Sequence, residues 1–540
     1  MESYDYIVIG AGSAGCVVAR RLTEDKDVRV LLIEAGGSDK SFLFRRPGAL
    51  AIVYQYPRFK KKADWGYRTT PQPNMDDRDM MCTRGKILGG CSTVNGMIYI
   101  RGHRDNYDQW RDWGNPGWGY DDVLPYFKKA ESHEDGASEM HGGDGPLRVT
   151  HQRGCSPLSD AFIEAISKVC NVPIIDDFNV PDHEGASMYD MTCADRRRMS
   201  TAVTYLTPVI DRDNLDVLTH THVARVLVED GRTVGVEVTE DGQRRTIGAS
   251  KEVVLSAGVI GSAQILMLSG IGPAAHLQEH GIEVVHNSPG VGQNLHDHLL
   301  APIRFLTTKD TGHKSTALHF LSGMINDFLF NKGWFGKTFL EAGGFVRSAP
   351  DKPLPDLQYF CIPWSYPEPN DDDPKIETIA TEYSFTVLAG LIYPESRGSV
   401  TLRSADPLDR PLIDPAYLAD ERDMDALLAG CKLARRFAET EPLAQYIVDE
   451  AFPGKQAQTD DEMRAHIRLS GRTIYHPVGT CKMGTDEMAV VDHELRVRGI
   501  DGLRVADASI MPRIVGGNTN APAIMIGEKV SDMIKAAHAD

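Results

Sequence analysis

The residues with the plainest chemical potential lie in the first thirty-five positions. An apolar run, Tyr6-Ile7-Val8-Ile9, feeds into Gly10-Ala11-Gly12-Ser13-Ala14-Gly15, and a second β-rich run from Val28 to Ile33 ends at Glu34 and Ala35. Glycines at this spacing serve a bound pyrophosphate. Gly10 supplies a tight turn, Gly12 lets the backbone approach phosphates without an intervening Cβ, and Gly15 lets the following helix pack on its strand. The N–H groups at that helix N-terminus then face the negative charge. Glu34 falls where a carboxylate accepts hydrogen bonds from both ribose hydroxyls and repels a 2′-phosphate. An AMP-containing cofactor without that phosphate, FAD or NAD, is therefore expected before NADP.

A candidate for proton chemistry is His476, one of eighteen histidines, in the run Tyr475-His476-Pro477-Val478-Gly479-Thr480. Imidazole titrates near neutrality, so it can take a proton and return it, and Pro477 restricts the backbone beside it. Other clusters offer metal-ligand types. His296-Asp297-His298 and His133-Glu134-Asp135 with His141 could hold zinc, but the first sits in a Gly-Gln-Asn block and the second in a glycine-rich loop. A structural loop is expected for the first, a solvated loop for the second, and a metal at neither. Glu341, with Trp364 and Tyr366, offers an acid and aromatic faces to a cationic substrate. A solvated or salt-bridged acid explains Glu341 equally well.

The elements that must position these groups follow from hydrophobic periodicity. A helix is expected from Ala14 to Leu22. Strands with Asp-Gly turns between Thr221 and Gly258 predict a β-meander leading back into a parallel sheet, followed by a helix over Ser262 to Leu268. The stretch from about Leu300 to Gly390 is rich in aromatics and proline and begins a substrate-facing domain. Asp420 to Thr440 has helical spacing, with Met424, Leu427, Leu428, Cys431, Leu433 and Phe437 as its apolar members. A final strand runs from Gly502 through Ala508, and a closing helix from Pro522 to Ile534 carries proline in its first turn.

At 540 residues the chain is too long for one simple core. A formal net charge of −18 disfavours nucleic acid or an anionic membrane surface as partner. The early apolar run is too short for a secretory signal, and no run spans a bilayer, so a cytoplasmic location is expected. Nine cysteines, odd in number and without a C-x-x-C pair, read as reduced thiols.

Four further blocks place glycine where backbone would approach a large planar ligand: Gly85 to Gly96; Ser256-Ala257-Gly258 with Ser269 to Pro273; Gly290 to His298; and Leu503 to Ser509 with Gly516 to Pro522. Together with the N-terminal fingerprint they resemble the glucose–methanol–choline (GMC) family of flavin alcohol oxidoreductases, over nearly the whole chain. The pattern departs at Cys91, where the family has a small hydroxyl residue or glycine, and at Val259 and Ala263.

The resemblance implies an α/β fold. A Rossmann-type FAD domain would be assembled from residues 1–155, 221–300 and 486–540, with a substrate side at 156–220 and 301–485 that carries an antiparallel sheet. It also implies FAD contacts from Gly10, Gly12, Ser13, Ala14, Gly15, Glu34, Ala35, Arg84, Leu88, Gly89, Gly90, Ser92, Asn95, Gly96, Met97, Val223, Ala257, Gly258, Asp507, Ala508, Asn518 and Asn520. Val94 stands where some relatives carry a flavin-linking histidine, so the FAD is expected to be non-covalent. His476 aligns with the family's active-site histidine. Of Asn518 and Asn520, counting back from the closing helix puts Asn520 in register as its partner and leaves Asn518 along the flavin. The implied reaction oxidises an alcohol to a carbonyl, with oxygen or a quinone-type acceptor reoxidising the flavin. The alternatives are a lyase of the same fold that holds FAD without redox use, an NAD-dependent dehydrogenase and a non-catalytic nucleotide-binding protein.

Overall fold

The computed structural model describes residues 3–539 except 51–52, 54–56, 241, 309–316 and 366–381. Two seven-stranded sheets organise it. In the first, strand Ser3–Ile9 lies between Val30–Ile33 and the long strand Gln243–Leu255, parallel to both, with Ile9 in register with Ile33 and Leu255. Leu215–Leu218 extends this sheet beyond Val30–Ile33, and Leu503–Val505 pairs in parallel with the far end of Gln243–Leu255. These central strands are continuous runs of Ile, Val and Leu because both of their faces are covered. Each fully buried aliphatic side chain contributes about 1.5–3 kcal/mol relative to exposure. The expected meander is present as His222–Glu229, Arg232–Glu240 and the start of Gln243–Leu255, paired antiparallel.

The second sheet is antiparallel throughout. Its order is Ile447–Phe452, Leu299–Thr307, Ser384–Leu391, Leu357–Ile362, Ala342–Val346 and Gly185–Met188, and the short strand Arg472–Thr473 pairs with Leu299–Thr307. Helices Pro157–Cys170 and Glu421–Ala438 pack on one face, and Phe162 and Phe437 meet there edge to face at 5.8 Å. The span 156–220 is divided between the two sheets: its helix and the strand Gly185–Met188 belong with the second, and Leu215–Leu218 joins the first.

Two helices set the geometry between the sheets. The first, Gly15–Leu22, packs against the closing helix, Asn520–Ala537. Arg21 bridges to the fully buried Glu528 at 2.7 Å, and Tyr205 donates its hydroxyl to the same carboxylate at 2.8 Å. The chain just ahead of the closing helix is thereby held over the glycine turn that follows the first strand.

Candidate active site

A cavity of about 1270 Å³ is lined by residues of both sheets and the loops between them. It exceeds the roughly 300–1,000 Å³ of an ordinary small-ligand pocket, as a dinucleotide and a substrate together require. At one end lie Gly10, Gly12, Ser13, Ala14, Glu34, Ala35 and Val223. Gly10 has φ of +96°, a conformation open to glycine, and a Cβ on Gly15 would stand 1.9 Å from the Gly10 carbonyl oxygen. The strand therefore stops abruptly and the helix starts close against it.

Glu34 is buried and accepts from the Ala11 N–H at 3.0 Å and the Gly36 N–H at 2.7 Å. Burial pushes its carboxyl up to about 7, against the pull of those two amides. Each carboxylate oxygen has a lone pair left for a ribose hydroxyl. Along the wall, Asp507 accepts from the Gly258 N–H (2.8 Å) and Ser262 Oγ (2.6 Å), which ties the start of helix Gly258–Leu268 to the loop after Leu503–Val505. Asn95 accepts from Arg198 at 2.6 Å and from the Met97 N–H at 3.1 Å, shaping the loop that presents Gly96 and Met97 to the cavity. The glycine turn, the helix N-terminus and the buried carboxylate fit an FAD: Gly12 to Ala14 could take its pyrophosphate and Glu34 its ribose.

His476 lies at the other end, among Arg84, Leu300, Phe360, Trp364 and Asn518. Its backbone N–H donates to Asp297 at 2.8 Å. Asp297 also accepts from Tyr417 at 2.6 Å and from the Thr473 hydroxyl, so a fully enclosed carboxylate fixes the backbone that carries the imidazole. The ring has two polar neighbours: His298 Nδ1 lies 3.1 Å from His476 Nδ1, and Asn518 Nδ2 lies 3.2 Å from His476 Nε2. Gln358 donates to the Asn518 carbonyl at 3.2 Å, which orients that amide with its nitrogen toward the histidine.

An amide nitrogen only donates, so His476 Nε2 accepts, and the ring proton sits on Nδ1 facing His298. Burial, followed by the nearby His298 and Arg84, holds the His476 pKa well below 6.5, and burial takes His298 down to about 3. Both rings are neutral at ordinary pH, and the single lone pair of His476 Nε2 is held by the Asn518 N–H.

The structure departs from the expected register here. Asn518 faces His476, whereas Asn520 accepts from Ser13 Oγ at 2.8 Å and joins the closing helix to the glycine turn. Of the other expected cofactor contacts, Arg84, Gly90, Asn95, Gly96, Met97, Val223, Ala257, Gly258, Asp507 and Ala508 line the cavity. Gly15, Leu88, Gly89 and Ser92 lie behind the lining. Ser92 donates to the Gly89 carbonyl at 2.6 Å, and the Gly89 N–H donates to Ala11 at 2.7 Å, so these residues hold the wall in shape. Val94 lines the cavity and packs beside Phe44 and Ile87. Residue-type reasoning missed Gln358 and the contact of His298 with His476; both arise from chain segments more than 150 residues apart in sequence.

Glu341 is turned away from the cavity, paired with Lys337 at 2.6 Å and accepting from Ser156 N–H and Ser159 Oγ at 2.7 Å each. Trp364 lines the cavity; Tyr366 falls outside the described residues. His296 spends both ring nitrogens on backbone, the Asn294 carbonyl at 2.6 Å and the Ile514 N–H at 2.9 Å.

The expected solvated loop at His133 and His141 is a buried ionic cluster. His141 meets Glu131 and Asp177, and Arg101 reaches Glu131 at 2.7 Å. His133, His151 and Asp190 converge closely enough to suit a cation, but both imidazoles are paired with the Asp190 carboxylate. All nine cysteines are free.

Models of the GMC oxidoreductase N-terminal and C-terminal regions match residues 4–300 and 394–527. The chain is 40% identical to alcohol dehydrogenase [acceptor] of Pseudomonas putida, over 98% of this chain and 95% of the relative. It is 42% identical to mitochondrial choline dehydrogenase of Homo sapiens, over 99% and 90% respectively. Among solved structures it is similar to pyridoxine 4-oxidase from Mesorbium loti (32% identity, TM-score 0.88, covering 99% of this chain and 100% of that one). It is also similar to formate oxidase from Aspergillus oryzae, at 28% identity and a TM-score of 0.89, covering 99% of each chain. The chain belongs to the GMC oxidoreductase family.

Proposed function

We propose that this protein oxidises a neutral alcohol to an aldehyde or ketone, with His476 as the base, Asn518 as the holder of the substrate oxygen and FAD bound without a covalent link. The observation that carries the reading is the His476–Asn518 pair, 3.2 Å apart, at one end of a cavity whose other end is the glycine turn and Glu34. Bound FAD supplies the acceptor for the hydride that leaves the α-carbon. His476 Nε2 takes the hydroxyl proton when the substrate hydroxyl displaces the Asn518 N–H from its one lone pair, and its Nδ1–H stays directed at His298. The displaced Asn518 amide donates to the substrate oxygen as negative charge develops there. That charge offsets the burial and the Arg84 field that oppose protonation of the ring.

Phe339, Leu340, Phe360, Ile362, Trp364 and Leu388 wall the cavity near these two residues. Glu341 is spent on Lys337 elsewhere. An alcohol with an apolar body therefore suits this end. Val94 has no nucleophile to offer the flavin, so acid precipitation is expected to leave free FAD in the supernatant; colour retained in the pellet would contradict this.

The test is an anaerobic panel of alcohols watched for flavin bleaching, followed by admission of air. Bleaching by apolar alcohols supports the reading, and bleaching by none would favour a non-redox use of the flavin. Rapid recolouring in air marks oxygen as the acceptor; slow recolouring marks a quinone-type acceptor.

A further inference from the structure

Helix Ala317–Phe330 is turned inside out. Leu318, Leu321, Ile325, Phe328 and Leu329 recur at spacings that put them on one face. That face points to solvent, with Leu318 82% and Leu329 71% exposed. Ser322 and Asn326 share the solvent side, and the opposite face carries Asp327. Asp327 is fully buried, bridging Arg196 at 2.5 Å and Arg46 at 3.5 Å. His319 stacks on Trp334 at 5.6 Å, beneath the helix. Phe330 and Phe42, 61% and 44% exposed, extend the apolar area, and the Phe42 ring lies 6.0 Å from Phe328. Single exposed apolar side chains are ordinary on a protein surface, but a contiguous row marks a contact face.

The surrounding charge says what would cover it. From Lys40 to Lys62 the chain carries seven Lys and Arg and no Asp or Glu; Arg45, Arg46 and Lys60 are paired with Asp39, Asp327 and Asp64, which leaves Lys40, Arg58, Lys61 and Lys62 to face a partner. The stretch ends in helix Pro57–Ala63, with Arg58, Lys60, Lys61 and Lys62. Ala63 of that helix shares a small core with Phe44 of the short helix Phe42–Arg45, whose Phe42 meets Phe328, so the basic helix and the apolar row are neighbours. The net charge of −18 disfavours an anionic surface only as an average over the whole chain. At a screening length of about 8 Å in physiological salt, the local groups decide. A second copy placed symmetrically on the row would bring two such basic stretches together, which costs energy.

We propose that this face docks on a membrane with anionic headgroups, the apolar row entering the boundary between headgroups and acyl chains and Lys40, Arg58, Lys61 and Lys62 facing the phosphates. Among the described residues no helix is long and apolar enough to cross a membrane, so the attachment lies in the plane of the interface. Lys60 and Lys61 also line the cavity, so docking sets one rim of it beside the bilayer, where apolar alcohols partition.

The test is flotation of the full-length holoenzyme with vesicles of phosphatidylcholine alone or mixed with about one-third phosphatidylglycerol. The wild type is expected to float with the anionic vesicles, roughly tenfold better than with the neutral ones, and less well at high salt. Leu321→Ser/Ile325→Ser/Leu329→Ser should stay at the bottom with both. Arg58→Glu/Lys62→Glu should lose the preference for anionic vesicles. Both variants should keep wild-type flavin reduction in solution, which shows that they fold. Wild-type protein that floats with neither vesicle, whether monomeric or self-associated through the leucine row, overturns the proposal. A triple variant that floats like the wild type also overturns it.

Discussion

Asn518 and His476 face each other across 3.2 Å, amide nitrogen to Nε2, while Asn520, only two residues on, turns back to Ser13. The two asparagines are thereby separated in what they touch. One meets the group proposed to take the proton, and the other ties the closing helix to the dinucleotide turn.

Substitution should separate them too. Asn518→Ala is expected to retain FAD and slow flavin reduction about ten- to a thousandfold, the scale for removing one hydrogen bond to developing charge. Asn520→Ala removes a hydrogen bond of about 1 kcal/mol near the pyrophosphate turn, so its effect should appear in FAD affinity, roughly fivefold. Rapid-mixing spectroscopy and FAD titration of the two variants check this. The reverse pattern would restore the register counted from the sequence.

Glu34 holds two backbone amides as well as facing the cavity. Glu34→Ala leaves the Ala11 and Gly36 N–H groups without an acceptor, at about 1–3 kcal/mol each. The purified variant should carry less FAD and melt lower than wild type even when both are stripped of cofactor. Unchanged melting of the stripped proteins would mean that water replaces the carboxylate at no cost.

His141 is buried among carboxylates. Burial opposes its charge, but Asp177 and Glu131 outweigh that and raise its pKa from 6.5 to about 9. A raised pKa gives stability that is fully present below about pH 6.5 and lost as pH rises through about 9. Wild type should therefore lose melting temperature across that window more steeply than His141→Gln does. Parallel curves would mean that the ring does not hold its proton in the folded state.

What the sequence made legible was whatever residue type dictates locally. The strand, the glycine turn, the helix and Glu34 form one continuous segment in which each residue answers a backbone requirement, and all were readable. His476 was singled out by its proline-flanked run and the family pattern, and it lines the cavity. The Asn518 and Asn520 register was not, because Pro522 suggests a helix starting there, whereas the helix starts at Asn520 and proline occupies its third position. Asn520 thus points along the helix toward Ser13. Gln358 and His298 reach the site from separate strands of the second sheet or its approach, and no local pattern announces such a meeting. The His133 loop looked solvated, yet Glu131–His133 and Leu147–Val149 pair in parallel and bury its charges against Arg101.

The central claim is that His476 is the base, and its most direct test is the rate of flavin reduction by an alcohol after anaerobic rapid mixing with the His476→Ala protein. That protein should retain FAD and reduce it at least about a hundredfold more slowly than wild type. The wild-type rate should stay level as pH falls to about 6.5, because burial, His298 and Arg84 keep the ring neutral there. Wild-type reduction by His476→Ala would contradict the account.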